Sequence, residues 1–152
     1  MAIYHCSVKN ISRSSGRSAV ACAAYRSGEE LEDLETGITH DYRKKTGIAF
    51  TEIFLCKNAP EKFQNREELW NEVEKIEKAA DARLAREIEV AIPRELSLEE
   101  MKNLVAGYAK VLTEEGMCVD AMADDAMKSG NIAVNPRASQ KRDIVKLYHK
   151  AI

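Results

Sequence analysis

The sequence predicts an α+β fold, an antiparallel sheet with helices packed on one side of it. Three observations carry this. β-prone segments alternate with helix signals in the order βαβαβαβ, the connections suit antiparallel neighbours, and neither GxGxxG nor GxxxxGK[ST] occurs. A doubly wound α/β sheet is the runner-up. The 152 residues fit one domain-sized unit, and 45% hydrophobic with 32% charged residues describes a globular chain.

Residues 2–9 (AIYHCSVK) set Ile3, His5 and Ser7 against Tyr4, Cys6 and Val8, a period of two that predicts a strand. The Ser/Gly-rich stretch 10–18 (NISRSSGRS) reads as a turn carrying Arg13 and Arg17 and ending at Ser18, a helix N-cap. The alanines of AVACAAYRSG then predict a helix over 18–27, stopped by Ser27-Gly28. Residues 29–41 hold six acidic groups and no Lys or Arg, which predicts a solvated loop or short helix. The motif DYRKK (41–45) reverses the charge, and a β-prone run predicts a strand over 47–56.

Pro60 opens a predicted long helix over 61–82, with Phe63, Leu69, Trp70, Val73 and Ile76 at helical spacing. A strand follows at 85–92, with Ile88, Val90 and Ile92 on one face, Glu87, Glu89 and Ala91 on the other, and Pro93 at its end. Ser97 and Glu100 make a capping box for a helix over 97–115, closed by Gly116. A strand is expected at 117–122. Beyond Ala121 the patterning dissolves into a turn-like stretch, an irregular one and a basic end bearing Lys141, Arg142, Lys146 and Lys150. The expected organisation is therefore a unit at 1–121 and a divergent basic tail at 122–152. The predicted core is Ile3, Val8, Val20, Phe54, Leu69, Trp70, Val73, Leu84, Ile88, Val90, Leu104 and Val111.

The net charge is −2 and the pI is near 6.0, so nucleic-acid binding would need a local basic patch. The four cysteines (Cys6, Cys22, Cys56, Cys118) form no zinc knuckle or CxxC and read as reduced core thiols. The opening residues lack the features of a signal peptide, and no run approaches the roughly 20 apolar residues of a membrane span. A soluble cytoplasmic protein with no membrane partner is the expectation.

Tyr25, in the Ala-rich helix, reads either as packing or as a nucleophile; a phenol attacks phosphorus once positioned and deprotonated. Small neighbours Ala21, Ala23 and Ala24 would admit a nucleotide, and Arg13, Arg17 and Arg26 would meet phosphates. The segments MAIYHCSVKNISRSSGRSAVACAAYRSGE, GITHDYRKK and LAREIEVAIPREL, spread over residues 1–121, resemble the MobA/MobL conjugative relaxases. The resemblance implies a relaxase-like sandwich that nicks one strand at a plasmid transfer origin. It implies single-stranded DNA as partner, with accessory mobilisation proteins, and Tyr25 as the residue that stays attached to the 5′ phosphate.

The family also implies a divalent metal, Mg²⁺ or Mn²⁺, held by three histidines of the form His-Asp…Gly-Asn-Pro-His-x-His. Here Asp124, Ala133 and Asn135 stand at those positions, and His5, His40 and His149 lie elsewhere. No metal ligands are therefore identified. Asp124, Asp125 and Asn135 read as turn residues or as a weak Mg²⁺ site. Such an end suits a divergent, truncated or frameshifted relaxase. Glu87 and Glu89 either face solvent or lie near the site, where Glu89 is the preferred proton acceptor for the phenol. The basic tail reads as a DNA contact or a solvated face. Two functions follow: a nicking relaxase weakened by the loss of imidazoles, or a DNA-binding remnant without catalysis.

Overall fold

The computed structural model describes residues 5–93, 95–124 and 129–134, with side chains for 5–93 and 95–122. Strands β1 (Cys6–Ser12), β4 (Ile48–Phe54), β5 (Arg83–Ala91), β6 (Val119–Asp124) and β7 (Ser129–Val134) form one sheet in the order β1-β5-β7-β6-β4. Strands β2 (Glu30–Asp33) and β3 (Ile38–Asp41) form a separate hairpin. Every pairing is antiparallel, so the α+β class holds and the doubly wound alternative falls.

Among the described residues three α-helices accompany these strands: α1 (Ala19–Ser27), α2 (Arg66–Ile76) and α3 (Leu98–Glu114). The register defines which residues share a face. One row runs across all five strands as Lys9, Glu87, Ala133, Asp120 and Ile53. The next runs as Val8, Ile88, Ile132, Ala121 and Glu52 and belongs to the opposite face. On the first row, Glu87 pairs with Arg26 of α1 and Asp120 with Arg66 of α2. On the second, Ile88 and Ala121 pack with Met101, Val105, Ala109 and Leu112 of α3. Helices thus flank both faces rather than the one expected. Each face of the sheet carries enough apolar surface to need its own cover, which a sequence read strand by strand does not reveal.

The N-caps expected from sequence are in place. The Ser18 hydroxyl accepts from the Ala21 N–H, and Ser97 with Glu100 forms a complete capping box. Several boundaries differ. The first strand begins at Cys6 and continues through Ile11, which is almost fully buried opposite Ala85, so the expected turn starts only at a 3-10 turn, Arg13–Ser15. The acidic stretch 29–41 is the β2–β3 hairpin rather than a loop or helix: Leu31 and Asp33 alternate inward and carry it onto α1 and α2. The long helix expected over 61–82 splits into a 3-10 turn, Glu61–Gln64, and α2, because the Asn65 side chain caps a fresh start by accepting from Glu68 N–H. It ends early where the Arg13 guanidinium takes the carbonyls of Glu74 and Glu77.

The expected boundary at residue 121 falls inside β6, and 129–134, expected to be turn-like and then irregular, forms β7 between β5 and β6. Pairing on both edges holds that strand without an alternating pattern of its own. Of the predicted core, Val20, Leu69, Trp70, Val73, Leu84 and Ile88 are buried. Phe54, Val90, Leu104 and Val111 are half-buried. Val8 is 46% exposed, because it lies on an edge strand. Ile3 and the basic tail lie outside the described residues. Cys6 is exposed rather than a core thiol, and Cys56 and Cys118, distant in sequence, bring their Sγ atoms to 3.7 Å.

Candidate functional site

The site is built on α1. Its buried stripe, Ala19, Val20, Ala23, Ala24 and Ser27, packs into the core, so Ala23 and Ala24 serve helix packing and leave no room there for a nucleotide. Tyr25 points away from that stripe and is 54% exposed. Its ring meets Tyr42 edge-on, with centroids 5.3 Å apart and planes at 85°. The Lys45 ammonium stands over the same ring, 4.5 Å from its centroid.

Backbone geometry brings these groups together. Gly28 ends α1 in the left-handed conformation at φ +67°, and its N–H donates to the Ala24 carbonyl. A Cβ there would lie 2.4 Å from Ile48 Cδ1, so a glycine lets the start of β4 close onto the helix end. The Tyr42 N–H then donates to the Glu29 carbonyl at 3.1 Å, and Lys45 N–H to the Tyr42 carbonyl at 2.9 Å. The loop that sequence marks only by its change of charge is thereby folded against Tyr25.

The arginines divide. Arg13 is pinned: its guanidinium donates to both Glu35 oxygens at 3.0 and 2.8 Å, to the carbonyls of Glu74 and Glu77, and pairs with the Glu74 carboxylate. The Glu35 hydrogen bonds hold its pKa above the ordinary value against partial desolvation. Arg26 is also committed. It forms a two-pronged ion pair with Glu87 and donates to the Cys22 carbonyl at 3.0 Å. Burial works against its charge, and the Glu87 carboxylate outweighs that and raises its pKa. Both arginines, expected at phosphates, are thus held by carboxylates. Arg17 is exposed.

Glu89, the preferred proton acceptor, pairs with Lys9 at 3.2 Å. Glu87 does not face solvent; it is buried against α1. In register Glu87 stands beside Ala133, whereas Glu89 stands beside Asn131. The acidic residue coupled to the helix of Tyr25 is therefore Glu87. Sequence alternation put both carboxylates on one face and could not tell which one an arginine would take.

Among the described residues no three His, Cys, Asp or Glu side chains gather as a metal site. Asp124 ends β6 opposite Ser129, and Ala133 lies between Glu87 and Asp120 on the five-strand row. An alanine supplies no ligand atom, so the residues present do not fit a three-imidazole metal centre. Asp125 and Asn135 lie outside the described residues. His5 is exposed before β1, and His40 is paired with Leu31 in the hairpin. Among the described residues no helix is long and apolar enough to cross a membrane.

A family model described as the MobA/MobL family matches residues 17–138. Mobilization protein MobL of Acidithiobacillus ferridurans is 47% identical over 121 residues, covering 79% of this chain and 31% of that protein. Conjugal transfer protein TraA of Rhizobium radiobacter is 38% identical over 131 residues, 79% of this chain and 12% of its own length. Probable mobilization protein MobA of Bifidobacterium longum is 38% identical over 110 residues, 72% of this chain and 20% of its own. The chain therefore spans less than a third of the length of these relatives. A solved structure described as the molecular basis of vancomycin resistance transfer in Staphylococcus aureus superposes with a TM-score of 0.85 at 31% identity, over 93% of this chain and 74% of that one. The matched segment includes α1 with Tyr25, the hairpin, the 42–48 loop and all of the sheet after β1. On that coverage and identity, the chain belongs to the MobA/MobL family.

Proposed function

We propose that this chain binds single-stranded DNA at a plasmid transfer origin and that Tyr25 is its nucleophile. The observation that carries the reading is the Tyr25 phenol itself, solvent-facing on a rigid helix, fixed by Tyr42 and Lys45, inside the family-matched segment. Attack would form an Oη–P bond and break the P–O3′ bond. The phenol proton leaves to water, and the departing 3′ oxygen takes a proton from water. The DNA keeps its 5′ phosphate on the protein and gains a free 3′ hydroxyl.

No step here runs through a metal, because Ala133 cannot ligate one and Asp124 brings oxygen where an imidazole would bring nitrogen. Loss of that charge stabilisation slows the chemical step more than DNA binding. Nicking is therefore weak against a relative with the three histidines. The same observation favours a second reading, a DNA-binding module without catalysis.

The test uses single-stranded oligonucleotides tiled across the DNA flanking the gene, incubated with the full chain and run on denaturing gels. A covalent adduct that disappears in Tyr25→Phe, with binding kept within a few-fold, is the expected result, since the ring's packing survives the change. An undiminished adduct in the Phe variant overturns the assignment of Tyr25. Binding without any adduct selects the second reading. Calorimetry with Mn²⁺ checks the metal reading, which sub-micromolar stoichiometric binding overturns.

A further inference from the structure

The end of β4 and the start of β6 lie side by side. Phe54 stands opposite Val119 at that end of the ladder, so Cys56 comes two residues after the rung and Cys118 one residue before it. The chain turns at Cys56, whose carbonyl accepts the Ala59 N–H at 3.0 Å. Its Sγ meets that of Cys118 at 3.7 Å, across 62 residues of sequence. Both thiols are free and half-buried. The other two cysteines lie elsewhere: Cys6 is exposed on β1, the opposite edge of the sheet from β4, and Cys22 is on α1. The chemistry at Tyr25 uses neither member of the pair.

A disulfide holds its sulfurs at about 2.05 Å, so these two must close by about 1.7 Å. Rotation about two Cα–Cβ bonds spans that distance while the ladder keeps both backbones in place. We infer that Cys56 and Cys118 are a redox-active pair, which a small-molecule disulfide converts into an internal disulfide clasping β4 to β6.

Cys56 takes the first step. Burial pushes the Cys118 thiol above its ordinary pKa, so its sulfur is the poorer first nucleophile. The Cys56 thiol gives its proton to water, and its sulfur attacks one sulfur of the small disulfide. A mixed disulfide forms, the original S–S bond breaks, and one thiolate leaves. The Cys118 thiol, already in contact, then loses its proton to water and attacks the Cys56 sulfur, expelling the second thiolate. The protein thiols lose two electrons, and the small disulfide becomes two thiols that take up the two protons. The new bond closes a loop containing α2, β5 and α3. It joins positions that the ladder already holds together, so it restricts the unfolded chain far more than the folded one.

The experiment treats the reduced full chain with glutathione disulfide, blocks remaining thiols by alkylation, and maps peptides by mass without reduction. Cys56→Ser and Cys118→Ser are treated alongside. In the unaltered chain the expected product is a Cys56–Cys118 peptide pair lighter by two hydrogens. Its melting point should rise by about 5–15 °C over the reduced form. Cys118→Ser should stop at the mixed disulfide, with one glutathionyl group on Cys56. In Cys56→Ser, Cys118 should be captured about tenfold more slowly than Cys56 is in Cys118→Ser. Both thiols of the unaltered chain remaining open to alkylation, or each carrying its own glutathionyl group, overturns the inference. An internal bond with no rise in melting point refutes the clasp, and equal capture rates in the two variants refute the order of attack.

Discussion

Asp120→Asn is the sharpest probe of what holds α2 to the sheet. The Asp120 carboxylate is fully buried and accepts three hydrogen bonds, from Arg66 Nε at 2.8 Å, Arg66 Nη2 at 2.9 Å and Trp70 Nε1 at 2.9 Å. Arg66 is 8% exposed, and its other ionic partner, Glu29, is part-exposed at 42%. The amide keeps an acceptor for Trp70 but removes the charge facing the guanidinium. Breaking a buried pair in this way costs about 3–5 kcal/mol, and Glu29 brings this case to the lower end, about 3 kcal/mol. At about 2–4 °C per kcal/mol for a chain of this size, Tm falls by about 6–12 °C.

Urea unfolding followed by circular dichroism and by the fluorescence of Trp70, the only tryptophan, measures the loss. The midpoint should fall with an unchanged slope. The double variant Arg66→Met with Asp120→Leu should cost far less than the sum of its parts, since it leaves neither charge buried alone. A loss below about 1 kcal/mol for Asp120→Asn would refute the claim that this pair anchors the helix.

Two further outcomes follow from the same geometry. Gly28→Ala should destabilise by about 1–2 kcal/mol from the left-handed backbone alone, with an added cost as Ile48 Cδ1 gives way, read as a lower urea midpoint. Glu74 has its pKa raised by burial, against the opposing effects of Ala19 N–H and Arg13. Because the folded value exceeds the unfolded one, the native state binds the extra proton, and stability falls as pH rises from about 4.5 through the raised value. Glu74→Gln should flatten that fall in urea melts at pH 4.5 and 7; an equally steep fall in the variant would show that another group causes it.

The local signals in the chain were legible because their physics is local. Ser18 and Ser97–Glu100 cap helices through bonds spanning three residues, and Pro93 stops a strand wherever it lies. The core positions Val20, Leu69, Trp70 and Val73 follow from the spacing of apolar residues on one helix face. Tyr25 was a candidate through the family resemblance of the segment around it; read alone, a tyrosine on an alanine-rich helix is ordinary packing as readily as a nucleophile.

What failed was long-range. The hairpin at 30–41 is rich in acidic residues with no alternating apolar run to mark it, and Leu31 and Asp33, turned inward against the helices, carry it onto the core. Strand β7 has no alternation to read, because bonding on both edges fixes it.

The sequence by itself determined the antiparallel α+β class and the starts of α1 and α3, through signals a few residues apart. Only the tertiary structure decided where the charged side chains find their partners. Arg26 meets Glu87 across 61 residues and Arg13 meets Glu74 across 61, while Lys45 reaches the Tyr25 ring on α1 from the loop before β4. A charged side chain takes the nearest opposite charge when water is excluded, and which charge is nearest depends on how sheet, helices and hairpin pack.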